Sequence, residues 1–333
     1  MPVSAVEARL QKRPCEDGAP IDAMDVMGPM DREGAMSAAL HATTESCKGC
    51  GVCVEVCPNR CLKLSEKRAV TDEVRGRRCI RCGHCVLACP NGSLSIEGLG
   101  NEDLLSVPPS GVGYAELSAF LLARRSMRRF KDEPVDRETL LKVLEAASVA
   151  PMGIPPHTTE ILVLDQRAEL DHLAAGLRAV YADLLKAWRN PVARQFVRLS
   201  AGAEKFHALR THVVEIVEDA NARFAATGED RYTYRAPVAM LFHANRWDLA
   251  FRTNAVLAAT YAMLAAQSLG LGSILLDLVG PAVNRSAELR QRWSIPKDNE
   301  VVITLMLGHS KTKFARALKR RLKGVRFAGE PNA

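Results

Sequence analysis

Aromatic residues and long apolar runs are both scarce in this chain of 333 residues. Phe, Trp and Tyr make up 5% of it, which leaves few platforms for stacked bases, so the basic C-terminal segment is not expected to bind nucleic acid. The most apolar stretch, 255–272, is interrupted by Thr260, Gln267 and Ser268, which predicts a buried helix rather than a membrane span. Residues 1–40 hold no apolar run of the signal-peptide kind and no twin-arginine leader. We therefore expect a cytoplasmic protein that binds neither nucleic acid nor membrane.

Eight of the ten cysteines fall into two runs of identical spacing, C-x2-C-x2-C-x3-C-P. The first run is Cys47, Cys50, Cys53, Cys57 and Pro58, and the second is Cys79, Cys82, Cys85, Cys89 and Pro90. They are 79 − 47 = 32 residues apart. Each is followed by alternating apolar residues, Leu62/Leu64 and Leu94/Ile96, which predict a short strand. The repetition indicates an internal duplication with pseudo-twofold symmetry.

This pattern resembles the two-cluster ferredoxins of bacteria over about residues 40–98, where the fourth cysteine of each run ligates the other cluster. The resemblance implies two 4Fe–4S clusters, one bound by Cys47, Cys50, Cys53 and Cys89 and the other by Cys79, Cys82, Cys85 and Cys57. Zinc sites and disulfides are the alternatives, but zinc usually takes paired C-x2-C half-sites, and disulfide modules occur in secreted chains. Cys61 stands where the other repeat has Ser93 and is expected to fill a small apolar slot. Cys15 is assigned no role.

The rest of the chain is predicted to form a second, larger domain. We divide the chain into a mobile extension (1–40), the ferredoxin domain (41–98), a Pro- and Gly-rich linker (99–113), the large domain (114–326) and a tail (327–333). Within the large domain, strands are expected at 161–164, 238–242, 273–279 and 300–307, between helices that include 248–269 and 284–292. Such alternation is typical of an α+β fold.

An ordered set of short motifs in the large domain resembles the nitroreductase flavoprotein family. The motifs are Arg124-Arg-Ser-x-Arg-x-Phe130, Ala150-Pro151, Ser268-Leu-Gly-Leu-Gly-Ser273, Ile295-Pro296 and Leu307-Gly308. The resemblance covers about residues 115–325. It implies a mixed antiparallel sheet wrapped by helices, a homodimer formed through long central helices, and FMN at the dimer interface.

The first of these motifs suits a phosphate group. Arg124, Ser126 and Arg128 alternate, so in an extended segment their side chains share one face, and two guanidinium forks with a hydroxyl match a phosphate dianion. The alternative is a solvated basic helix end. The resemblance implies that these residues bind the FMN phosphate and that Arg125 lies on the ribityl side. It also implies that the C-terminal segment returns to the same phosphate, and the candidates there are Lys313 and Arg316.

The resemblance also assigns residues to the flavin ring. Pro151, Met152 and Gly153 would lie at its pyrimidine side, and the backbone amides of Leu276, Asp277 and Leu278 would face flavin N5. The loop then departs from the family, because Pro155 and His157 stand where relatives carry Asn and Gln, and a proline supplies no donor. His157 either hydrogen-bonds the ring or substrate or lies in solvent. The other weak catalytic candidates are Tyr232 and Tyr234, as proton donors, with ordinary packing as the alternative.

These features predict an FMN-dependent iron–sulfur reductase. A low-potential donor protein such as a ferredoxin would supply electrons to the clusters, and FMN would pass them to a small organic acceptor. The acceptor classes considered are nitroaromatics, quinones, activated alkenes and halogenated aromatics. Two alternatives stay open: an electron-carrier or redox-sensing protein without a small-molecule substrate, and a corrinoid-dependent reductase on the same fold. The set Arg124, Ser126 and Arg128 favours FMN over a corrinoid because it suits a phosphate.

Overall fold

The computed structural model describes residues 40–42, 45–96, 104–109, 111–153 and 158–329. Its N-terminal part contains two antiparallel strand pairs, two one-turn α-helices and a 3₁₀ turn at Gly76–Arg78. Strand β1 (Leu40–Ala42) pairs with β4 (Leu94–Ile96), and β2 (Leu62–Ser65) pairs with β3 (Arg68–Thr71). Helices α1 (Val52–Glu55) and α2 (His84–Leu87) each lie inside one cysteine run. The short strands predicted after the two runs are confirmed.

The internal duplication is visible in the backbone. Three pairs of positions 32 residues apart share a left-handed conformation, namely Gly49 (φ 67°) with Arg81 (51°), Gly51 (82°) with Gly83 (75°), and Arg60 (50°) with Gly92 (58°). Gly51 and Gly83 are the N-cap residues of α1 and α2, and each directly follows the second cysteine of its run. Two features require glycine at position 49. Its φ is 67°, and a Cβ there would lie 2.0 Å from the Lys67 carbonyl oxygen. The two repeats therefore fold alike, and equivalent positions can be compared.

The large part is built on one four-stranded antiparallel sheet in the order β5-β6-β8-β7. Its strands are β5 (Glu160–Leu164), β6 (Val238–Asn245), β7 (Gly272–Leu276) and β8 (Asn299–Gly308). In the central pair, Val238 lies opposite Leu307, with a register shift at Phe242/His243. Seven of the eight β6 residues are buried, as expected for a strand covered on both faces.

Helices precede and connect the strands of this sheet. They are α3 (Tyr114–Ala123), α4 (Arg137–Ser148), α5 (Arg167–Arg189), α6 (Pro191–Ala201), α7 (Ala203–Ala208), α8 (Glu215–Thr227), α9 (Phe251–Ser268), α10 (Val279–Arg285) and α11 (Ala287–Arg292), with a π-helical segment at Leu209–Val214. Because side chains alternate along a strand, β6 contributes Met240 and Phe242 to the core shared with α4 and α9. It contributes Ala239 and Leu241 to the core shared with α5, α8 and α10.

The α+β class and the antiparallel sheet wrapped by helices are confirmed, but two predicted boundaries are wrong. The strand expected at 273–279 ends at Leu276, because Asp277 and Leu278 form a turn into α10. The helix expected at 284–292 is two helices, because Ser286 leaves the helical conformation (ψ 106°) and its hydroxyl caps α11 by accepting from Leu289 N. The apolar stretch 255–272 lies mostly in the buried helix α9. Among the described residues, none of the helices has the length and apolarity needed to cross a membrane.

Candidate functional site

Four cysteines contributed by both runs line one pocket. They are Cys47, Cys50 and Cys53 from the first run and Cys89 from the second. Backbone amides point at two of the sulfurs, with Ala69 N 3.4 Å from Cys47 Sγ and Ser93 N 3.2 Å from Cys89 Sγ. Burial and the nearby thiols of Cys89 and Cys47 raise the pKa of Cys53. The structure thus brings together the first of the two expected ligand sets.

The other four cysteines of the runs also lie together. Burial and the thiols of Cys57, Cys79 and Cys82 raise the pKa of Cys85 to about 11. The fourth cysteine of each run therefore lies with the first three of the other run, which is the crosswise arrangement that the resemblance implies. Next to this set, Cys61 is 1% exposed, and burial together with Cys57 raises its pKa to about 12.

These sulfur sets fit an iron–sulfur cluster. All nine cysteines within the described ranges are free thiols, so the sulfurs are available as ligands. Four sulfurs around one pocket, with backbone N–H groups donating to them, provide the first and second layers of contacts that such a cluster needs. Among the described residues, no group of three or more His, Cys, Asp and Glu side chains could hold a single metal ion.

The arginine motif runs in an extended segment beside two strands of the large sheet. Ser126 forms a parallel bridge with Ser273 at the start of β7, and Met127 N donates to Ser273 O at 2.9 Å. Further along, Phe130 bridges to Ser310, just after β8 ends. The contact is close because Gly272 has no side chain: a Cβ there would lie 2.6 Å from Met127 Cγ. The alternating spacing of Arg124, Ser126 and Arg128 therefore falls on extended backbone, as the phosphate interpretation requires.

Positive charge is concentrated at the start of this segment. Arg124 is half-buried, and burial together with the neighbouring guanidinium groups of Arg125 and Arg320 lowers its pKa. Arg125 donates from Nη1 to the Arg124 carbonyl oxygen at 2.6 Å. Its Nη2 is buried with no hydrogen-bond partner in the part of the chain that the structure describes. A buried donor of this kind fits an anion that is bound beside it.

One basic residue of the C-terminal segment acts on the arginine cluster through its charge. Arg320 contributes to the lowered pKa of Arg124. Arg320 and our two candidates, Lys313 and Arg316, are all exposed, and the binding of the phosphate by Lys313 and Arg316 stays a prediction. Each of these residues is one basic side chain among many in the segment 311–326, and the segment forms neither helix nor strand. Only the resemblance, and no periodicity, therefore separates the candidates from the other basic residues of the segment.

The loop expected at the flavin ring is held by a buried asparagine. Gly153 N donates to Asn254 Oδ1 at 2.7 Å, and Asn254 on α9 is fully buried. Its Nδ2 is also buried and lacks a partner among the described residues. Pro151 and Gly153 are exposed and Met152 is half-buried. Pro155 and His157 lie outside the described residues.

Asn254 is a residue that we did not select from the sequence. It lies in an Ala-rich helix, and an asparagine in such a helix is expected at the surface. The spacing of Asn254 from Ala258 and Ala262 places all three on one helix face. Ala258 and Ala262 are buried, so this apolar face was a sequence signal for a buried asparagine.

The three residues expected at flavin N5 follow the arginine segment along β7. Leu276 is three residues from Ser273, a distance of about 10 Å along a strand. Asp277 is exposed and Leu278 half-buried, and the Leu278 carbonyl accepts a hydrogen bond from the Tyr181 hydroxyl.

The tyrosine candidates differ in exposure. Tyr232 is buried and stacks on Tyr181, with ring centroids 5.4 Å apart. Its hydroxyl donates to Asn221 Oδ1 at 3.1 Å, and burial raises its pKa. These contacts are those of a core residue. Tyr234 is half-buried and has a left-handed backbone, with φ 55°.

Comparison with known families identifies the large domain. A model described as the nitroreductase family matches residues 121–309, which is more than half of the chain. The chain belongs to the nitroreductase family. A second model, described as a 4Fe-4S dicluster domain, matches residues 46–93. The predicted fusion of a ferredoxin-type domain with a nitroreductase domain is therefore confirmed, and this nitroreductase is an iron–sulfur oxidoreductase.

Several solved structures resemble the nitroreductase domain. A nitroreductase with bound FMN from Bacteroides fragilis is 17% identical, with a TM-score of 0.49, and the match covers 64% of this chain and 98% of that one. A nitroreductase with bound FMN from Desulfitobacterium hafniense is 20% identical, with a TM-score of 0.46 and coverage of 63% and 97%. An NADPH:FMN oxidoreductase from Vibrio harveyi complexed with NAD+ is 16% identical, with a TM-score of 0.40 and coverage of 65% and 78%. The comparison with curated proteins found no match.

Proposed function

We propose that this nitroreductase carries electrons from a low-potential donor protein, such as a ferredoxin, through two 4Fe–4S clusters to FMN. The final acceptor would be a small organic molecule: a nitroaromatic, a quinone, an activated alkene or a halogenated aromatic. One observation carries the proposal: two crosswise sets of four cysteines occur in the same chain as a nitroreductase domain. A reducing cytoplasm suits these cysteines because cluster ligands must stay as thiolates.

Each set of four cysteines has one exposed member, and this supports a protein as the electron donor. Cys50 is exposed in the first set and Cys82 in the second, whereas Cys53 and Cys85 are buried. An exposed ligand allows a one-electron carrier to approach the cluster closely. The buried ligands, in turn, hold the cluster away from water.

The arginine segment supports FMN as the second cofactor. When bound, FMN supplies the ability to take up electrons singly and to pass on a hydride or two separate electrons. Arg124, Arg125 and Arg320 would neutralise its phosphate, and Ser126 would donate to it. The unpartnered Nη2 of Arg125 has the chemistry that an anionic group needs. Asn254 would position the loop at Gly153 against the ring through its hydrogen bond to the Gly153 amide.

Exposed apolar surface supports a homodimer. No residue of α3 is buried, and Tyr114 at its start is 86% exposed. Several apolar residues in the C-terminal segment are also exposed: Phe314, Leu318, Leu322, Val325 and Phe327. A second copy of the chain would remove this surface from water. Light scattering coupled to size exclusion should then report twice the chain mass.

The cofactor content and the acceptor can be tested on one anaerobic preparation. We expect about eight irons and one FMN per chain, and turnover of at least one acceptor class when the protein is fed by a reduced ferredoxin. A preparation without FMN, or with four irons, would contradict the proposal. Reoxidation by a protein partner but by no small molecule would favour the electron-carrier alternative, and corrinoid absorption bands would favour the third hypothesis.

A further inference from the structure

Four exposed arginines lie beside the cluster ligands Cys57 and Cys79. They are Arg60, Arg75, Arg77 and Arg78. The last three belong to the 3₁₀ turn that leads directly into Cys79, and Arg75 is its N-cap residue. In this turn Arg78 N donates to Arg75 O at 2.9 Å, and Cys79 N donates to Gly76 O at 3.1 Å. Because the turn is short and closed by backbone hydrogen bonds, it keeps the three arginines next to the ligand.

The fourth arginine comes to the same place from the other cysteine run. Arg60 follows Cys57 in a tight turn, in which Arg60 N donates to Cys57 O at 3.1 Å. The neighbouring Asn59 side chain donates to the Arg78 carbonyl oxygen at 2.7 Å, so the two segments are in contact. We call these four residues the basic face: Arg60, Arg75, Arg77 and Arg78. Its segments adjoin two of the four cysteines of the second set.

The other repeat does not carry these charges. The positions 32 residues away from the basic face hold Gly92, Thr43, Glu45 and Ser46, in the same order. Around the first set, exposed side chains of both signs alternate instead: Glu45, Lys48, Glu66, Lys67 and Arg68. Positive charge is therefore concentrated more strongly at the second set of cysteines than at the first.

Two acidic residues precede the turn, and one of them is used to form it. Asp72 Oδ1 accepts hydrogen bonds from Val74 N at 3.1 Å and from Arg75 N at 2.8 Å, so this carboxylate fixes the local backbone. Glu73 is exposed. Even when both carboxylates are counted against the four arginines, the basic face keeps an excess of positive charge.

An exposed ligand and exposed apolar side chains accompany the basic face. Cys82 is exposed, Val74 next to Arg75 is 71% exposed, and Leu87 is 65% exposed. Leu87 lies two residues after Cys85 in α2, where the other repeat has Glu55. Apolar side chains bordered by charged ones are typical of a protein interface, whereas contacts to nucleic acid go mostly to phosphate and sugar oxygens. The mixture favours a protein partner.

We propose that the basic face binds an acidic electron-carrier protein, so that electrons enter the chain at the cluster of Cys57, Cys79, Cys82 and Cys85. At each encounter one electron would leave the reduced carrier and enter this cluster, and two encounters would supply the pair that FMN passes on. Exposed charges act on each other over about 10 Å at moderate salt, and complementary charge raises the rate of encounter. This docking surface rests on the proposed function, because it requires a cluster at the second set.

The wild-type protein tests the charge of the partner. The full-length holoprotein is mixed anaerobically with a reduced ferredoxin of high negative net charge, and the second-order rate of cluster reduction is followed by absorbance. Between about 20 and about 500 mM salt this rate should fall at least about tenfold, because salt screens the attraction between exposed charges. A rate that is unchanged, or that rises with salt, would overturn the inference.

Reversal of charge tests the residues themselves. Arg75→Glu, Arg77→Glu and Arg78→Glu combined in one variant should lower the rate at low salt at least about tenfold. The matched control combines Arg189→Glu, Arg194→Glu and Arg198→Glu, at exposed positions of α5 and α6. It changes the net charge equally and should keep the rate within about twofold of wild type. An equal loss in this control, or a larger loss in Lys48→Glu beside the first set, would contradict the proposed point of entry.

Reduced methyl viologen, a small cation, separates lost docking from damage. It should reduce the clusters of the triple variant at least as fast as those of the wild type, because the variant no longer repels a cation. If the triple variant loses iron, the salt dependence of the wild type decides. An unchanged rate with the ferredoxin, together with lost binding to double-stranded DNA, would assign the basic face to nucleic acid and overturn the inference.

Failure of this inference and failure of the proposed function give different results. Wild-type clusters that are reduced by the ferredoxin at a rate independent of salt and of the basic face leave the proposed function standing. Wild-type clusters that the ferredoxin does not reduce, or about four irons per chain instead of about eight, would overturn the proposed function itself.

Discussion

Replacing Arg125 by methionine should weaken FMN binding and change the stability of the apoprotein little. Methionine keeps most of the apolar stem and removes the guanidinium. A hydrogen bond to a charged group contributes about 1.5–3 kcal/mol, so the dissociation constant for FMN should rise about tenfold to 150-fold. Fluorescence titration of the apoprotein with FMN measures this change.

The same substitution has two opposing effects on the apoprotein. It loses the Nη1 hydrogen bond to the Arg124 carbonyl oxygen, worth about 1.5–3 kcal/mol for a charged donor. It also removes the buried Nη2 that lacks a partner among the described residues, whose desolvation costs about 1–3 kcal/mol. The two effects are of similar size, so the free energy of unfolding in urea should stay within about 2 kcal/mol of the wild-type value.

Arg129→Met is the matched control for Arg125→Met. Arg129 lies in the same segment, is exposed, and its backbone carbonyl accepts from Lys311 N whatever its side chain. We expect wild-type FMN affinity from this variant. FMN binding by Arg125→Met within about twofold of wild type, or a loss of several kcal/mol of apoprotein stability, would show that Arg125 does not hold the phosphate with a buried, unpaired guanidinium nitrogen.

Three further substitutions test the roles of Asn254, Tyr232 and Glu169. Asn254→Ala should lower the free energy of unfolding by less than the roughly 1–3 kcal/mol that the unpaired Gly153 amide costs, because it also removes the buried Nδ2 that lacks a partner among the described residues, whereas Thr253→Ala at the exposed neighbouring position should change it by less than about 0.5 kcal/mol. Tyr232→Phe should cost about 1 kcal/mol and leave turnover within about twofold of wild type; a large loss of turnover at unchanged stability would make this hydroxyl a proton donor. Arg292 and the Trp293 indole hold the pKa of Glu169 at about 2, below its usual 4.5, so this stabilisation is complete above about pH 4.5 and is lost as the pH falls through about 2. The stability difference between wild type and Glu169→Gln should therefore shrink over that window in urea titrations, and a constant difference would contradict the assignment.

The parts of the molecule predicted best are those in which spacing alone carries the constraint. Cysteine is the usual ligand of a 4Fe–4S cluster, and the distances between ligands along the chain determine which of them can meet. The pairing of Cys89 with the first run could therefore be inferred from the two cysteine runs and their resemblance to ferredoxins. The bridge of Ser126 to Ser273 agrees with an extended backbone in the arginine motif, and the binding of a phosphate by Arg124, Ser126 and Arg128 stays a prediction.

The parts that sequence did not predict depend on contacts between distant segments. The charge of Arg320 lowers the pKa of Arg124. Arg320 lies in an irregular segment, and no periodicity predicts the path of such a segment. Asn254 holds Gly153 across 101 residues. The helix break at Ser286 could have been predicted from the sequence, since a serine followed by Glu288 in the first turn is a capping signal. The apolar periodicity on either side of Ser286 instead suggested one continuous helix.

We propose that electrons reach the flavin only through the clusters, and rapid mixing tests this claim. Wild-type protein, Cys82→Ser and the cysteine control Cys15→Ser are each mixed anaerobically with a reduced ferredoxin, and loss of flavin absorbance is followed on the stopped-flow timescale. We predict that Cys82→Ser slows this bleaching at least tenfold while keeping its FMN, and that Cys15→Ser bleaches at the wild-type rate. Bleaching of Cys82→Ser at the wild-type rate would contradict the claim.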